Sequence, residues 1–391
     1  MKSIEIIKSK VPERNYQICK RCVMDTSDKF IQFDSNGICN HCKDYLERRL
    51  NVTAFKNYEE NALEDLFEKV KKLKPLNSKY HAAIGISGGT DSSMVTYLAS
   101  KAGLKVLAIH MDNCWDSPTA AKNIKNLIKL PGVDYYCKPL NWNRFKKIQR
   151  AFLESGLPDI DLPTDSAIIS TVYKIANQFN IKVNLSGGNL GNEGILPASW
   201  MYNPKDNLFV NSVLKINGLD PSIMSDIKYG FKLDIKYRFF NLIRTYYPLN
   251  KFKYDKNNAR KILEEEINWE SPGRKHAESI YTEFNQFIYM PMKHKADYRR
   301  AHLSQDIVLK RISRKKALEI LKKSAYSEIN ADYIISFVAQ KLGYSIKDLK
   351  KIIEEDPIWY VDIPNREKLL NNIHNIYRFI TKRKLSSTWW G

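Results

Sequence analysis

The chain has 391 residues, of which 43% are hydrophobic and 27% charged, and its formal net charge is +20. This length allows a large core and two domains. No run approaches the ~20 apolar residues that span a bilayer, and the first residues lack the apolar core of a secretory signal, so we predict a cytoplasmic protein without membrane association. The charge favours polyanionic partners such as RNA, nucleotides or acidic sugar nucleotides, although lysine-rich composition also promotes solubility.

Two Cys-x-x-Cys pairs near the N-terminus are separated by sixteen residues. Cys19, Cys22, Cys39 and Cys42 have the spacing of a tetrahedral Zn²⁺ site, and residues 33–38 between the pairs have the pattern of a hairpin. Four thiolates leave no open coordination position, so the predicted role is structural. A reducing cytosol disfavours disulfides, and an iron–sulfur cluster is the less favoured alternative. We assign this zinc-knuckle module to residues 1–50.

The remaining chain divides into three predicted parts. Apolar residues at helical spacing predict an amphipathic helix over 57–74, within a helical linker at 51–79. Strands and helices alternate from 80 to 195, which indicates an α/β domain with a doubly wound parallel sheet, assigned to 80–225. Residues 226–391 are mainly helical and basic, and we expect them to bind a substrate or partner. Basic residues alternate with aromatic ones in this region, a pattern found in nucleic-acid or nucleotide binding and also in amphipathic helices with basic faces.

A glycine-rich turn, Ser-Gly-Gly-Thr-Asp-Ser-Ser, joins the first strong strand to a helix. Such a turn aims backbone N–H groups and a helix N-terminus at one point, a geometry that holds phosphate. A Walker loop would need a lysine that is missing here, and a serine-hydrolase elbow normally follows several strands. The turn matches the loop of the PP-loop ATP pyrophosphatases, which it resembles position by position; an unoccupied tight turn is the structural alternative. The predicted phosphate-binding residues are Ser87, Gly88, Gly89, Asp91, Ser92 and Ser93.

Other polar residues follow predicted strands at the same edge of the sheet, where open parallel sheets bind ligands. Residues at the end of the second strand are candidates to contact adenine and ribose, although the histidine there suits a packed core position equally well. A second glycine-rich loop follows the strand at 181–185, and we expect it to face the first loop and contact ATP or its metal. An acidic loop at 159–165 could assist Mg²⁺, bind substrate or cap a helix. The candidates at the strand ends are His110, Asp112, Gly187, Gly188, Asn189 and Glu193.

The segment 273–304 concentrates His, Glu, Lys and Arg more than any other part of the chain. Its motifs are Gly-x-x-His-x-Glu-Ser from Gly273 and Arg-Ala-His-Leu-Ser from Arg300. Together with the cysteine pairs and the glycine loops, they resemble the N-acetyl sugar amidotransferases, a PP-loop branch that acts in the synthesis of bacterial surface sugars such as lipopolysaccharide O-antigen or pseudaminic acid. The chain departs from the family at Ser271-Pro272, where a second glycine is expected, and at residues 293–296. These two differences affect the expected substrate more than the expected chemistry.

The resemblance implies conversion of a sugar N-acetyl group into an acetamidino group with ATP and Mg²⁺. The amide oxygen would attack the α phosphate and release pyrophosphate, and ammonia would then displace AMP. The implied catalytic residue of the loop is Asp91. Lys293 or Arg300 would stabilise the departing pyrophosphate, and His276 or Glu278 would handle protons at the ammonia step.

Neither Cys114 nor Cys137 has a glutaminase-like context. The resemblance therefore implies ammonia from a separate glutaminase with a cyclase-like companion, similar to the histidine-biosynthesis pair. The rival interpretation is a tRNA-modifying PP-loop enzyme of the thiolation or lysidine type, although thiolation usually needs a catalytic cysteine pair near the nucleotide. A non-catalytic ATP- or RNA-binding scaffold would leave Asp91 and the two loops unexplained. Nucleic acid is thus the less favoured partner, and the sequence does not identify the sugar or its nucleotide carrier.

Overall fold

The computed structural model describes residues 14–46, 61–274 and 277–370, together with Asn372 and Ile376. Its centre is a five-stranded parallel sheet with the order β3-β2-β1-β4-β5. The order reverses between β1 and β4, which is the switch point where open α/β sheets bind ligands. The predicted doubly wound sheet is therefore confirmed. The strands are β1 Ala82–Gly85, β2 Val106–Asp112, β3 Val133–Pro139, β4 Val183–Leu185 and β5 Arg244–Tyr246.

The central strands are short apolar runs because helices cover both faces of the sheet. All of β1 pairs with β2, from Ala82 opposite Val106 to Gly85 opposite Ile109. The edge strand β5 was not predicted. It pairs with β4 in a register that sets Thr245 opposite Asn184, and its three residues, an exposed arginine and two half-buried side chains, carry no alternating apolar signal. The sheet thus takes its fifth strand from residues beyond the predicted boundary at 225.

Helices make up most of the remaining described structure, as predicted for the C-terminal region. The helix α6 (Leu162–Gln178) begins inside the predicted acidic loop at 159–165, because Pro163 is well tolerated in a first turn. The helices are α1 Asn40–Asp44, α2 Ala62–Lys72, α3 Thr90–Lys101, α4 Pro118–Leu127, α5 Trp142–Glu154, α6 Leu162–Gln178, α7 Leu190–Glu193, α8 Asn207–Ile216, α9 Phe231–Asp234, α10 Lys256–Ile267, α11 Ile280–Phe284, α12 Met290–Lys293, α13 Arg299–Val308, α14 Arg314–Leu321, α15 Ala331–Leu342 and α16 Ile346–Glu354.

Two of the buried clusters position the site. One lies at the sheet, where residues of α2, α3, α4 and α10 pack with β1 and β2. Another joins the four cysteines of the knuckle to apolar residues of α13, α15 and α16, with Trp200 and Tyr281 fully buried among them. The N-terminal knuckle therefore packs directly on the C-terminal helices. None of the described helices has the length and apolar character needed to cross a membrane.

Candidate functional site

The first glycine-rich loop leaves the carboxyl end of β1 and leads into α3. Gly88 has a φ of +75°, and a Cβ there would lie 2.5 Å from the carbonyl oxygen of Ala120, so both the backbone and the close contact require glycine. The amide of Gly89 donates to Ser87 Oγ at 3.3 Å, and Ser92 Oγ donates to the Gly89 carbonyl at 3.3 Å. These bonds close the loop on itself at the N-terminus of a twelve-residue helix, where phosphate is favoured.

Two residues outside the loop hold it from behind. The Gly88 carbonyl accepts hydrogen bonds from Asn123 Nδ2 at 3.0 Å and from Trp269 Nε1 at 3.1 Å. Asn123 also exchanges two hydrogen bonds of 2.8 Å with the backbone of Glu270. Sequence reasoning did not single out Asn123, yet one signal was available, because it is a polar residue on the apolar face of α4 between Ala120 and Ile124.

The second glycine-rich loop meets the first at the switch point, as predicted. A Cβ on Gly187 would lie only 2.9 Å from the backbone nitrogen of Ser92. Gly188 donates its amide to Ser186 Oγ at 3.2 Å, and Glu193 ends the short helix α7 that follows. Asn189 is 5% exposed, and its Oδ1 accepts no hydrogen bond from the part of the chain that the structure describes. A buried acceptor beside the phosphate loop is well suited to a ligand donor or a metal-bound water.

Asp91, in the first turn of α3, is held by two side chains that the sequence did not reveal. Tyr254 donates its hydroxyl to Asp91 Oδ1 at 2.6 Å, and Lys256 Nζ lies 3.4 Å from Oδ2. Burial and then the Asp91 charge raise the pKa of Tyr254, so its phenol remains a proton donor. Tyr254 and Lys256 belong to the long basic and aromatic stretch after residue 228, and nothing distinguishes them there from their neighbours.

His110 and Asp112 lie at the end of β2, next to the first loop. His110 is 6% exposed, with Nδ1 3.1 Å from the Ile86 carbonyl oxygen and Nε2 2.8 Å from the Asp116 carboxylate. Burial lowers the pKa of His110, but the Asp116 carboxylate outweighs this and the net pKa is raised. Asp112 accepts the Cys114 amide at 2.7 Å and shapes the turn after β2. Contact of either residue with adenine or ribose stays a prediction.

The segment from Glu278 runs along the same edge of the sheet. A Cβ on Gly89 would lie 2.8 Å from Glu278 Oε1, so this carboxylate touches the phosphate loop. The segment is fixed there because Ser117 donates its amide to the Glu278 carbonyl at 2.9 Å and Ser279 pairs with Asp116 in an isolated β-bridge. The structure thus brings Glu278 and the first loop together.

Lys293 contacts a different part of the molecule. Its Nζ donates to the carbonyl oxygens of Ile352 and Glu355, at 2.7 and 2.8 Å, where α16 ends. Burial lowers the pKa of Lys293 to about 8, and the residue lines a cavity of about 470 Å³. These contacts are typical of a lysine that caps the C-terminus of a helix. A role for Lys293 at pyrophosphate remains a prediction that its observed contacts do not support.

Arg300 lies at the N-terminal knuckle. Its Nε is 2.9 Å from the Asp25 carboxylate, and its NH1 donates to the Val23 carbonyl at 2.8 Å. These partners occupy the guanidinium in a junction between the knuckle and α13, so its predicted role at pyrophosphate also lacks support from its contacts. His276 lies outside the described residues, and its proton-handling role stays a prediction.

The acidic loop before α6 faces the segment that carries Glu278. Asp161 accepts the Thr282 hydroxyl at 2.6 Å, and Asp159 accepts the Tyr202 amide at 3.1 Å. Asp161 occupies the N-cap of α6 without a capping bond from its side chain, so capping does not account for it. Burial raises the pKa of Asp159 to about 7 and that of Asp165 well above its usual range. In the described residues these carboxylates do not form a compact metal-binding group.

The knuckle cysteines do form such a group. Their four sulfur atoms lie within 4.8 Å of one another, with 4.0 Å between Cys19 and Cys42 and 3.6 Å between Cys22 and Cys39. Tetrahedral thiolates at a Zn–S distance of about 2.3 Å have sulfur atoms roughly 3.8 Å apart. The amides of Cys22 and Cys39 donate to Cys19 Sγ at 3.4 and 3.3 Å, which stabilises thiolate charge. The residues therefore fit the predicted structural Zn²⁺.

The sheet and its two glycine loops define an ATP-using PP-loop enzyme of the ligase or pyrophosphatase type, for which ATP and Mg²⁺ are the expected ligands. Two family comparisons agree with this class. Residues 61–155 match the family described as NAD synthase, and residues 278–378 match the LPS biosynthesis protein WbpG-like, C-terminal domain. The two matches bear out the predicted resemblance to the lipopolysaccharide-type N-acetyl sugar amidotransferases of the PP-loop superfamily.

Individual relatives are more distant. The tRNA-specific 2-thiouridylase MnmA of Pediococcus pentosaceus is 32% identical over 87 residues, which are 20% of this chain and 23% of the relative. The chain therefore matches less than a quarter of that relative's length. The NH3-dependent NAD synthetase of Campylobacter jejuni is 18% identical over 53% of this chain and 85% of its own, with a TM-score of 0.28. NMN synthetase of Francisella tularensis is 16% identical over 56% and 94%, with a TM-score of 0.27.

Proposed function

We propose that the protein converts the N-acetyl group of a nucleotide-activated acidic sugar into an acetamidino group, in an ATP-dependent reaction for surface polysaccharide synthesis. One observation carries this proposal. Glu278 is the first residue of the WbpG-like segment, and its carboxylate lies against Gly89 of the phosphate loop. The segment similar to LPS biosynthesis proteins thus borders the proposed ATP site, where an acceptor would have to bind.

The chemistry requires an activated oxygen, because the carbonyl oxygen of an amide is a poor leaving group. In the first step this oxygen attacks the α phosphate of ATP, and the bond between the α and β phosphates breaks to release pyrophosphate. In the second step ammonia adds to the carbon of the adenylated imidate. Loss of AMP and of a proton then leaves the amidine, so one oxygen of the sugar has been exchanged for an NH group.

The residues near the two loops fit the first step. The amides of the first loop and the N-terminus of α3 would hold the β and γ phosphates, with Asp91, oriented by Tyr254 and Lys256, in the first turn of that helix. When bound, Mg²⁺ would neutralise charge that develops on the phosphates. Glu278 is placed to accept a proton at the second step. A structural Zn²⁺ in the knuckle completes the proposed cofactors.

Ammonia would come from a separate glutaminase subunit with its cyclase-like companion. This part of the proposal rests on the resemblance. The two cysteines outside the knuckle are a half-buried Cys114 and an exposed Cys137 on β3, and neither has the sequence context of a glutaminase nucleophile. By itself the chain should use free ammonium as the nitrogen donor, and only at high concentration. With the glutaminase and its companion added, glutamine should serve as the donor.

The test is to incubate the full chain with ATP, ammonium chloride and either UDP- or CMP-activated acidic N-acetyl sugars. We expect pyrophosphate release that depends on the sugar, and exchange of O for NH in the sugar by mass spectrometry. A parallel reaction with bulk tRNA tests the rival tRNA-modifying function, which the partial match to a 2-thiouridylase supports. Pyrophosphate release stimulated by tRNA alone would contradict the proposal.

A further inference from the structure

The second glycine-rich loop is clamped by the N-terminal knuckle. Tyr45 donates its hydroxyl to the Leu190 carbonyl at 3.0 Å. Its ring packs closely against Gly194 at the end of the same loop, since a Cβ on Gly194 would lie 2.0 Å from Tyr45 Cε2. Tyr45 is fully buried. Any side chain at position 194 would displace this ring, so glycine there preserves a contact between two segments about 150 residues apart.

Helix α13 holds the other side of the loop. Gln305 accepts the Gly194 amide at 2.7 Å and donates Nε2 to the Leu190 carbonyl at 2.9 Å. It is 1% exposed, so both bonds are protected from water. Arg311, just beyond the helix, donates to the Gly191 carbonyl at 2.8 Å. Tyr45 and Gln305 therefore share one acceptor, the Leu190 carbonyl, from opposite segments.

Residues in and just after α13 also bind the backbone around the first cysteine pair. Ser304 accepts the Val23 amide at 3.2 Å. Arg314 donates to the carbonyl oxygens of Cys22 and Cys19, both at 2.9 Å. The knuckle, α13 and the second glycine-rich loop thus form one junction. Within it, the backbone of Cys19 and Cys22 is held by a side chain of the C-terminal region.

A metal bound by the four cysteines would fix the position of Tyr45 within this junction. The helix α1 has five residues and no side-chain cap at its N-terminus, and a helix of that length is not stable by itself in water. Two metal ligands hold it, Cys39 at its N-cap and Cys42 inside it, and Tyr45 follows at its C-cap. Because a structural metal supplies folding energy to such modules, loss of the metal would release Tyr45.

We propose that the metal-loaded knuckle and α13 together position the nucleotide site: Tyr45 of the knuckle and Gln305 of α13 set the geometry of residues 190–194 at the end of the second glycine-rich loop, and thereby the affinity for ATP. The inference deepens the proposed function and rests on it only for the binding of ATP between the two loops. The assay measures ATP binding without sugar or ammonia. Its result can therefore be interpreted even if the amidotransferase proposal fails.

The test compares Tyr45→Phe, which keeps the buried ring, with Tyr289→Phe as a matched control. Tyr289 is also fully buried and donates its hydroxyl to a carbonyl, that of Leu157, at 2.9 Å. ATP dissociation constants are measured by calorimetry, metal content by atomic absorption and folding by thermal melting. We expect Tyr45→Phe and Gln305→Met to weaken ATP binding about two- to tenfold, the value of one net hydrogen bond, with the metal retained.

The control should bind ATP as the wild type does, and removal of metal with a chelator should weaken ATP binding at least as much as Tyr45→Phe. Two outcomes would overturn the proposal. One is unchanged ATP affinity in both Tyr45→Phe and Gln305→Met while each retains its metal. The other is a chelated protein that keeps its helical circular dichroism and still binds ATP with wild-type affinity.

Discussion

The two glycine-rich loops occupy equivalent places on neighbouring strands, yet they are built in different ways. The first is closed by its own residues, through bonds among Ser87, Gly89 and Ser92. The second takes its shape from Tyr45 and Gln305, which lie more than 100 residues away on either side. The first loop therefore keeps its shape largely through contacts among its own residues. The second loop makes the shape of the site depend on distant parts of the chain.

The comparison predicts different kinetic effects for the two loops. Changes in the first should act on the chemical step, because its groups face the phosphates. Changes around the second should act mainly on ATP affinity, because its supports lie outside the cleft.

The largest effect is expected for Asp91→Asn in the first loop. Asparagine keeps the size of the side chain but removes the carboxylate charge that would help to hold Mg²⁺ at the phosphates, so kcat for pyrophosphate release should fall about 100-fold or more. Stopped-flow or coupled pyrophosphate assays measure this change. Asp226→Asn, at a surface pair with Arg144, is the control. A loss below threefold would mean that the first loop does not carry the chemistry.

Glu278→Gln tests whether the WbpG-like segment takes part in the reaction or only packs on Gly89. Glutamine keeps the size of the side chain but cannot accept a proton, so we expect amidine formation to fall about 10- to 100-fold while ATP binding stays within about twofold. Glu270→Gln, at an exposed pair with Lys122, is the matched control. Equal losses in ATP binding and in amidine formation would reduce Glu278 to a packing residue.

The sequence predicted those parts of the site that are determined locally. The strand, turn and helix around Gly88 and the paired cysteines lie within short windows, so periodicity and spacing were sufficient for them. The contact between the two glycine loops also followed, because parallel strands end at one edge of a sheet.

The missed supports share a different property. Tyr254 reaches Asp91 across 163 residues and Trp269 reaches Gly88 across 181. Such pairs depend on how α10 and the residues that flank it pack on α3, and no local pattern encodes that packing. The short strand β5 was missed for a related reason, since its pairing with β4 rather than its own side chains makes it a strand.

Tyr254→Phe measures how far the first loop depends on a remote support. It removes the 2.6 Å hydrogen bond to Asp91. A hydrogen bond to a charged group contributes about 1.5–3 kcal/mol, so we expect a loss of roughly tenfold or more in kcat/KM for ATP, smaller than that of Asp91→Asn. Tyr333→Phe, at an exposed tyrosine, should be neutral. If Tyr254→Phe were as damaging as Asp91→Asn, the contrast between a self-contained and a dependent loop would fail.

The smallest expected effect is a pH-dependent one, at the pair of His110 and Asp116 beneath the first loop. The folded pKa of His110 is raised above 6.5 by Asp116, with Asp112 adding to it. The pair therefore stabilises the fold fully below pH 6.5 and loses this contribution as the pH rises through the folded pKa. Asp116→Asn should cost about 1 kcal/mol at low pH and less at high pH. Thermal melts from about pH 5.5 to about 8.5 measure the difference, with Asp134→Asn, whose partners are Lys79 and Tyr80, as a control that should vary little across this range. A deficit that is constant with pH would show that His110 is neutral in the fold and serves the first loop only by packing.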